Sequence, residues 1–136
     1  MKSSVLKYRE TGIAWQDKQH KELFDRLSAL SSVIEGRRAE DGEWLEEFLK
    51  TIDFLDEYVA VHFYEEERAM VGSGYPDSDL HMERHHLFIE EMAHLRRDIE
   101  ASEATTDIAV STSRRMVEWL VDHICVMDKD LAAYIK

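Results

Sequence analysis

Residues that break helices are scarce in this chain: one proline and five glycines punctuate 136 residues. The segments between them are therefore long, and within them apolar residues recur at three- and four-residue steps, the period of one helix face. From Asp17 to Glu35 the stripe is His20, Leu23, Phe24, Leu27, Leu30 and Ile34, with Gly36 placed to end the helix. A second stripe, from about Asp41 to Val71, carries Leu45, Phe48, Leu49, Ile52, Leu55, Val59, His62, Glu66 and Met70. The run Gly72-Ser73-Gly74-Tyr75-Pro76 stops it, since it combines residues that tolerate positive φ with one that cannot donate a backbone hydrogen bond. A third stripe, from about Ser78 to Ala101, has His81, His85, Phe88, Met92, Leu95 and Ile99 on one face. The fourth, from about Thr106 to Tyr134, turns Met116, Leu120, His123, Ile124, Met127, Leu131 and Tyr134 inward with Trp119 at the flank. No segment alternates with period two for long enough to argue a strand. Four such helices joined by short turns bury their stripes most simply in an all-α, antiparallel up-down four-helix bundle. The expected organisation is a single domain over residues 1–136, with an N-terminal arm at 1–14 and the bundle at 15–136.

The polar residues in phase with these apolar stripes carry the chemistry. His20, His62, Glu66, His81, His85 and His123 all occupy positions that the period assigns to the core. One in-phase histidine is ordinarily a hydrogen-bonded core residue, but six polar misfits spread over four helices converge on one purpose. An ionised Glu66 there would cost several kcal/mol, on the order given for buried charges, unless paired or metal-bound. His62 with Glu66, and His81 with His85, stand four apart and project side by side from their helices, so each pair can grip one ion. Imidazole with carboxylate and no thiolate suits iron, manganese or zinc, and facing helices of a bundle can hold two such ions. A second carboxylate is needed to share the two ions with Glu66, and Asp122, Asp128 and Asp130 are the local candidates. Asp130, seven residues after His123, returns to its face, whereas Asp128, five residues on, is about 140° away in an ideal α-helix. Asp128 nevertheless belongs to the wide apolar stripe with Ile124 and Leu131, and a local π-bulge would bring it level with His123. Periodicity alone leaves both open.

Charge and cysteine usage narrow the partners. With 17 basic and 29 acidic side chains the net charge is −12. Basic residues cluster only in pairs such as Arg37 with Arg38, which excludes a phosphate-backbone binder and hence nucleic acid. The single Cys125 rules out a disulfide framework and a cysteine zinc cluster, and fits a reducing compartment. No stretch approaches the roughly 18 apolar residues of a membrane helix, and Met1 to Glu10 is too polar for a signal peptide, so a cytoplasmic protein without membrane contact is expected.

Several stretches taken together resemble the hemerythrin family, specifically its single-domain bacterial members. They are Gly12-Ile13; Asp17-Lys18-Gln19-His20-Lys21-Glu22-Leu23-Phe24; His62-Phe63-Tyr64-Glu65-Glu66; Tyr75-Pro76; His81 with His85; Trp119-Leu120-Val121-Asp122-His123-Ile124; and Asp128. The resemblance implies a non-haem di-iron centre with His81, His85 and His123 on one iron, His20 and His62 on the other, and Glu66, Asp128 and an oxo or hydroxo group bridging. That leaves one iron a coordination position short. It further implies reversible dioxygen binding, for storage, delivery or sensing, rather than an enzyme's turnover. Leu120 and Ile124 are then the walls of the oxygen pocket. The alternatives on the same site are a di-iron peroxidase or oxidase, a nitric-oxide scavenger, or an iron- or redox-responsive sensor domain. Gln16 stands where the family usually has an apolar residue, with Trp15 unusual beside it, and the expected consequence concerns the packing of the arm and not the metal site. His86, His94 and Cys125 point away from the ligand face and are expected to play no part.

Overall fold

The computed structural model describes residues 10–36, 42–101 and 106–136. Within them lie helices α1 (Ala14–Glu35), α2 (Gly42–Ser73), α3 (Ser78–Glu100) and α4 (Thr106–His123), then a π-helical turn (Ile124–Asp128) and a short α5 (Lys129–Ile135) that continues the fourth rod. No strand occurs among the described residues. Each helix packs on the next, and α4 closes back on α1, giving the four-helix bundle that the four stripes predict. The expected arm falls largely outside the described residues, and only its last few positions can be followed.

Those positions explain how α1 begins. The carboxylate of Asp17 accepts hydrogen bonds from the Thr11 amide (2.7 Å), the Thr11 hydroxyl (2.8 Å) and the Gly12 amide (3.1 Å), folding the entering chain onto the first helical turn. Gly12 adopts φ +92°, a backbone conformation that glycine supplies without a Cβ penalty. An acidic side chain here also suits the positive end of the helix dipole. At the far end of α1 the chain stops at Gly36. The hairpin between α2 and α3 uses Gly74 at φ +67°, with Ser78 donating through its hydroxyl to the Tyr75 carbonyl at 2.6 Å as α3 starts.

The core runs along the inside of all four rods. Leu23, Leu27, Phe48, Val59, Leu120 and Ile124 are fully buried, and Phe48 stacks on Trp44 with ring centroids 5.0 Å apart. The indole of Trp44 donates to the Val33 carbonyl (2.7 Å), pinning the start of α2 to the end of α1. Arg26 lies over the Tyr58 ring and donates to the Phe54 carbonyl, and Arg96 of α3 pairs with Asp53 of α2. Four positions depart from the expected inward stripes. Leu45 and Tyr134 are exposed, and Leu49 and Met127 are only half-buried, while Trp44, Phe63, Val117 and Val121 are buried instead. An ideal 3.6-residue period locates the centre of a stripe well, but its edges depend on how far the neighbouring helices wrap round it.

Phe48 lies 14 residues before His62, roughly 20 Å along the same helix, so its packing can be weakened without touching the polar end of the core. Phe48→Ala should cost about 3–5 kcal/mol in chemical denaturation while leaving the metal content per folded chain unchanged.

Candidate metal centre

Seven side chains from all four rods meet inside one end of the bundle. His20 comes from the second turn of α1, His62 and Glu66 from α2, His81 and His85 from the first turns of α3, His123 from the end of α4 and Asp128 from the π-turn. All seven are buried, none more than 4% exposed. Asp128 sits at their centre. Its Oδ2 is 2.9 Å from His20 Nε2 and 3.0 Å from His62 Nε2, while its Oδ1 is 3.1 Å from both His81 Nε2 and His123 Nε2. Glu66 faces it, with Oε1 at 3.3 Å from His85 Nε2, 3.4 Å from His62 Nε2 and 3.7 Å from His81 Nε2.

The π-turn decides which aspartate joins this group. Five residues in α geometry would swing Asp128 well off the His123 face, but the wider i→i+5 turn over Ile124–Asp128 returns it, and Asp128 is fully buried. Asp130, which the seven-residue spacing prefers, is exposed. Leu120 and Ile124 are fully buried in the core beside His123 in the chain, whereas His86 and His94 are exposed and pair with Glu90 and Asp98 on their own helix. Cys125 is half-buried and free.

Two rings are held by stacking: Phe63 lies flat on His85 (centroids 3.8 Å, 5° between planes) and Trp119 on His123 (4.8 Å, 11°). His85, again, and His62 are oriented through their outer nitrogen. His85 Nδ1 is 2.9 Å from Glu67 Oε2 and His62 Nδ1 is 2.8 Å from Gln19 Oε1. Both partners are acceptors, so Nδ1 carries the proton and Nε2 presents its lone pair to the centre, the arrangement that makes histidine a metal ligand. Glu67 and Gln19 were not singled out from the sequence. A glutamate next to Glu66 and a glutamine next to His20 read as ordinary surface residues until the helices are packed.

Gln16 requires a correction. It is not a feature of arm packing: it is fully buried in the first turn of α1, and its Nε2 donates to Glu66 Oε2 at 2.9 Å and to the Asp128 carbonyl at 3.2 Å. One signal was available, since Gln16 stands four residues before His20 and so shares its face.

The donor set fits cations. The Nε2 atoms of His81 and His85 each lie 3.0 Å from that of His123, and Glu66 Oε1 is buried without a hydrogen-bond partner. Lone pairs converging in this way repel one another unless positive charge sits between them. The possible ligand atoms divide into two groups, Glu66, His81, His85, His123 and Asp128 in one and His20, His62, Glu66 and Asp128 in the other, with both carboxylates shared.

Burial, reinforced by the neighbouring His123 and His81 rings, pulls the His85 pKa down to about 2. Burial likewise lowers His20 and His123 against the opposing pull of Asp128. Burial and then the Asp128 charge raise Glu66 well above the usual carboxylate range. For Asp128 burial pushes upward, yet hydrogen bonds from His123, His20 and His81 outweigh it and hold the acid well below its usual range. Where the unfolded chain binds more protons than the fold, stability falls as pH drops. His85, His20 and His123, neutral in the fold, gain protons on unfolding once the pH is below about 6.5. Glu66 acts in the opposite sense above its ordinary value, but is one group against three. The metal-free protein should therefore lose stability steadily as pH falls from about 6.5 toward 4, measured as the denaturation midpoint against pH, and a His85→Phe variant should show a shallower fall.

The sequence model of the family described as hemerythrin HHE cation binding domain matches residues 11–135. The bacteriohemerythrin of Methylococcus capsulatus is 34% identical over 120 residues, covering 88% of this chain and 85% of that protein. The bacteriohemerythrin of Stenotrophomonas maltophilia is 31% identical, covering 92% and 76%. A crystal structure of wild-type hemerythrin superposes with a TM-score of 0.77 at 32% identity, over 92% of this chain and 90% of that one. The likeness runs through every rod that contributes to the buried cluster, and the chain belongs to the hemerythrin family, whose members bind oxygen at a di-iron centre.

Proposed function

We propose that this protein binds dioxygen reversibly at a di-iron centre held by His20, His62, Glu66, His81, His85, His123 and Asp128. The observation that carries the reading is the division of the cluster into three histidines and two histidines around the same two carboxylates. In this assignment His81, His85 and His123 would hold one iron and His20 and His62 the other, with Glu66 and Asp128 common to both groups. The group with two histidines supplies one donor fewer, which is where dioxygen would be taken up. Two ferrous ions held there would supply the two electrons that reversible capture of dioxygen requires. The chain supplies the conditions for that reversal. Burial keeps His20, His85 and His123 neutral, Glu67 and Gln19 hold the Nδ1 protons of His85 and His62 away from the centre, and Phe63 and Trp119 fix two ring planes. Leu120 and Ile124 form apolar walls beside His123, limiting the water and protons that would drive the bound oxygen on to peroxide.

This reading treats the chain as a single hemerythrin-like domain with a carrier, store or sensor role in a reducing cytoplasm. No described helix is long and apolar enough to cross a membrane. An oxidase, peroxidase or nitric-oxide scavenger would use the same centre, and the two classes separate in one experiment. Anaerobic reduction followed by oxygen should produce a visible charge-transfer band that disappears on deoxygenation and returns over repeated cycles. Peroxide release with immediate loss of the ferrous state would identify an oxidase instead.

Metal analysis after reconstitution should give two irons per chain. Glu66→Gln should weaken both irons together, because a bridging carboxylate belongs to both. Asp128→Ala should abolish two-iron loading, and Asp130→Ala should leave it intact. The opposite result for the two aspartates would remove Asp128 from the ligand set.

A further inference from the structure

Gln16 is an anomaly of burial. A primary amide with no solvent exposure sits in the first turn of α1, and its Oε1 finds no hydrogen-bond partner, so the side chain is not buried for its own satisfaction. An apolar residue of similar size would occupy the interior with no unsatisfied atom. What only an amide supplies there is a donor. Its two contacts, Glu66 Oε2 at 2.9 Å and the Asp128 carbonyl at 3.2 Å, are both pure acceptors, which determines that the NH2 end faces them. The side chain is held in place from outside, because Asp17, the next residue, is tied to Thr11 and Gly12 by three hydrogen bonds.

We propose that Gln16 is a positioning residue of the metal centre that keys the two shared carboxylates to each other and biases the iron pair toward its reduced state. The inference rests on the di-iron reading above. One proton of the amide holds the Glu66 carboxylate in a single orientation across α1 and α2. The other grips the backbone of Asp128 at the end of the π-turn, so one side chain sets the spacing between the residues that both ions share. The bond to Glu66 Oε2 also draws negative charge away from the ligand oxygen. Ferric ions need that charge more than ferrous ions do, so the donor raises the reduction potential, as hydrogen bonds to metal ligands do elsewhere. In a protein that must release dioxygen unchanged, this slows loss of the ferrous pair to oxidation.

Gln16→Met removes the donor while keeping the length and approximate volume of the side chain. The test compares wild type and variant of the full chain, metal-free and iron-loaded. The metal-free variant should unfold at close to the wild-type temperature, since loss of the bonds to Glu66 and Asp128 is offset by removal of a buried unpaired amide oxygen. Loaded, it should still take two irons but surrender them to an excess ferrous chelator about tenfold faster. Its midpoint potential in a redox titration should be lower, and its oxygenated form should decay faster to the ferric state. A variant that holds iron and potential like wild type overturns the inference and leaves the di-iron reading standing. A metal-free variant that is itself strongly destabilised also overturns it, in favour of a packing role. Failure of the wild type to bind two irons would instead remove the di-iron reading, and this inference with it.

Discussion

Two carboxylates without solvent exposure share a small volume with five imidazoles, and the rest of the structure is arranged around that cost. An ionised carboxylate taken out of water loses several kcal/mol of hydration even after relaxation, on the order given for buried ions. Asp128 recovers part of it from the imidazole nitrogens of His20, His81 and His123 at 2.9–3.1 Å. Glu66 recovers less, accepting only from Gln16, and is pushed toward its protonated form by burial and by Asp128. Two divalent ions reverse this balance, because each brings opposite charge to a site whose donors already point inward. Under the proposed assignment, metal loading and folding are coupled through the same seven residues.

The apolar remainder of the core supplies the rigidity that such a site needs. Away from the centre, Leu27, Leu30, Phe48, Ile52 and Leu55 are buried between the rods. Ligands come from every rod, so a shift of one helix against another would open the cluster, and close packing resists such shifts. Around the centre itself, aromatic stacking and second-partner hydrogen bonds replace aliphatic packing. Phe63, Trp119, Glu67 and Gln19 each constrain one histidine, through contacts that also restrict its protonation or its plane. His81 and His123 have no such partner at Nδ1. The group of three histidines therefore has its rings oriented by stacking and by Glu67, and the group of two has Gln19 and, through Glu66, Gln16.

Charge is separated by depth. Among the described residues most acidic side chains lie on the outer faces, where water screens them and opposes association, while Glu66 and Asp128 alone are fully buried. His86 and His94 illustrate the same division, since at the surface they pair with carboxylates of their own helix and take no part in the cluster.

The sequence by itself determined the helical architecture, the bundle class and six of the seven clustered residues, because each shows as a position in the 3.6-residue period of its own helix. His62 with Glu66 and His81 with His85 are visible as pairs without any knowledge of the partner helix. Tertiary structure decided the rest. Asp128 enters the cluster through a π-turn, a local departure from α geometry whose cost only contacts with the other three helices can offset, so periodicity favoured Asp130 as readily. The edges of the stripes moved for a related reason: whether Leu45 or Trp44 is buried depends on where α1 lies, not on α2 alone. Gln16, Gln19 and Glu67 are the clearest case, since a polar side chain on a helix shows in sequence which way it points but not what it meets. Those meetings are 50, 43 and 18 residues apart in the chain, and only the packed bundle brings a glutamine at the start of one helix to a carboxylate near the end of the next.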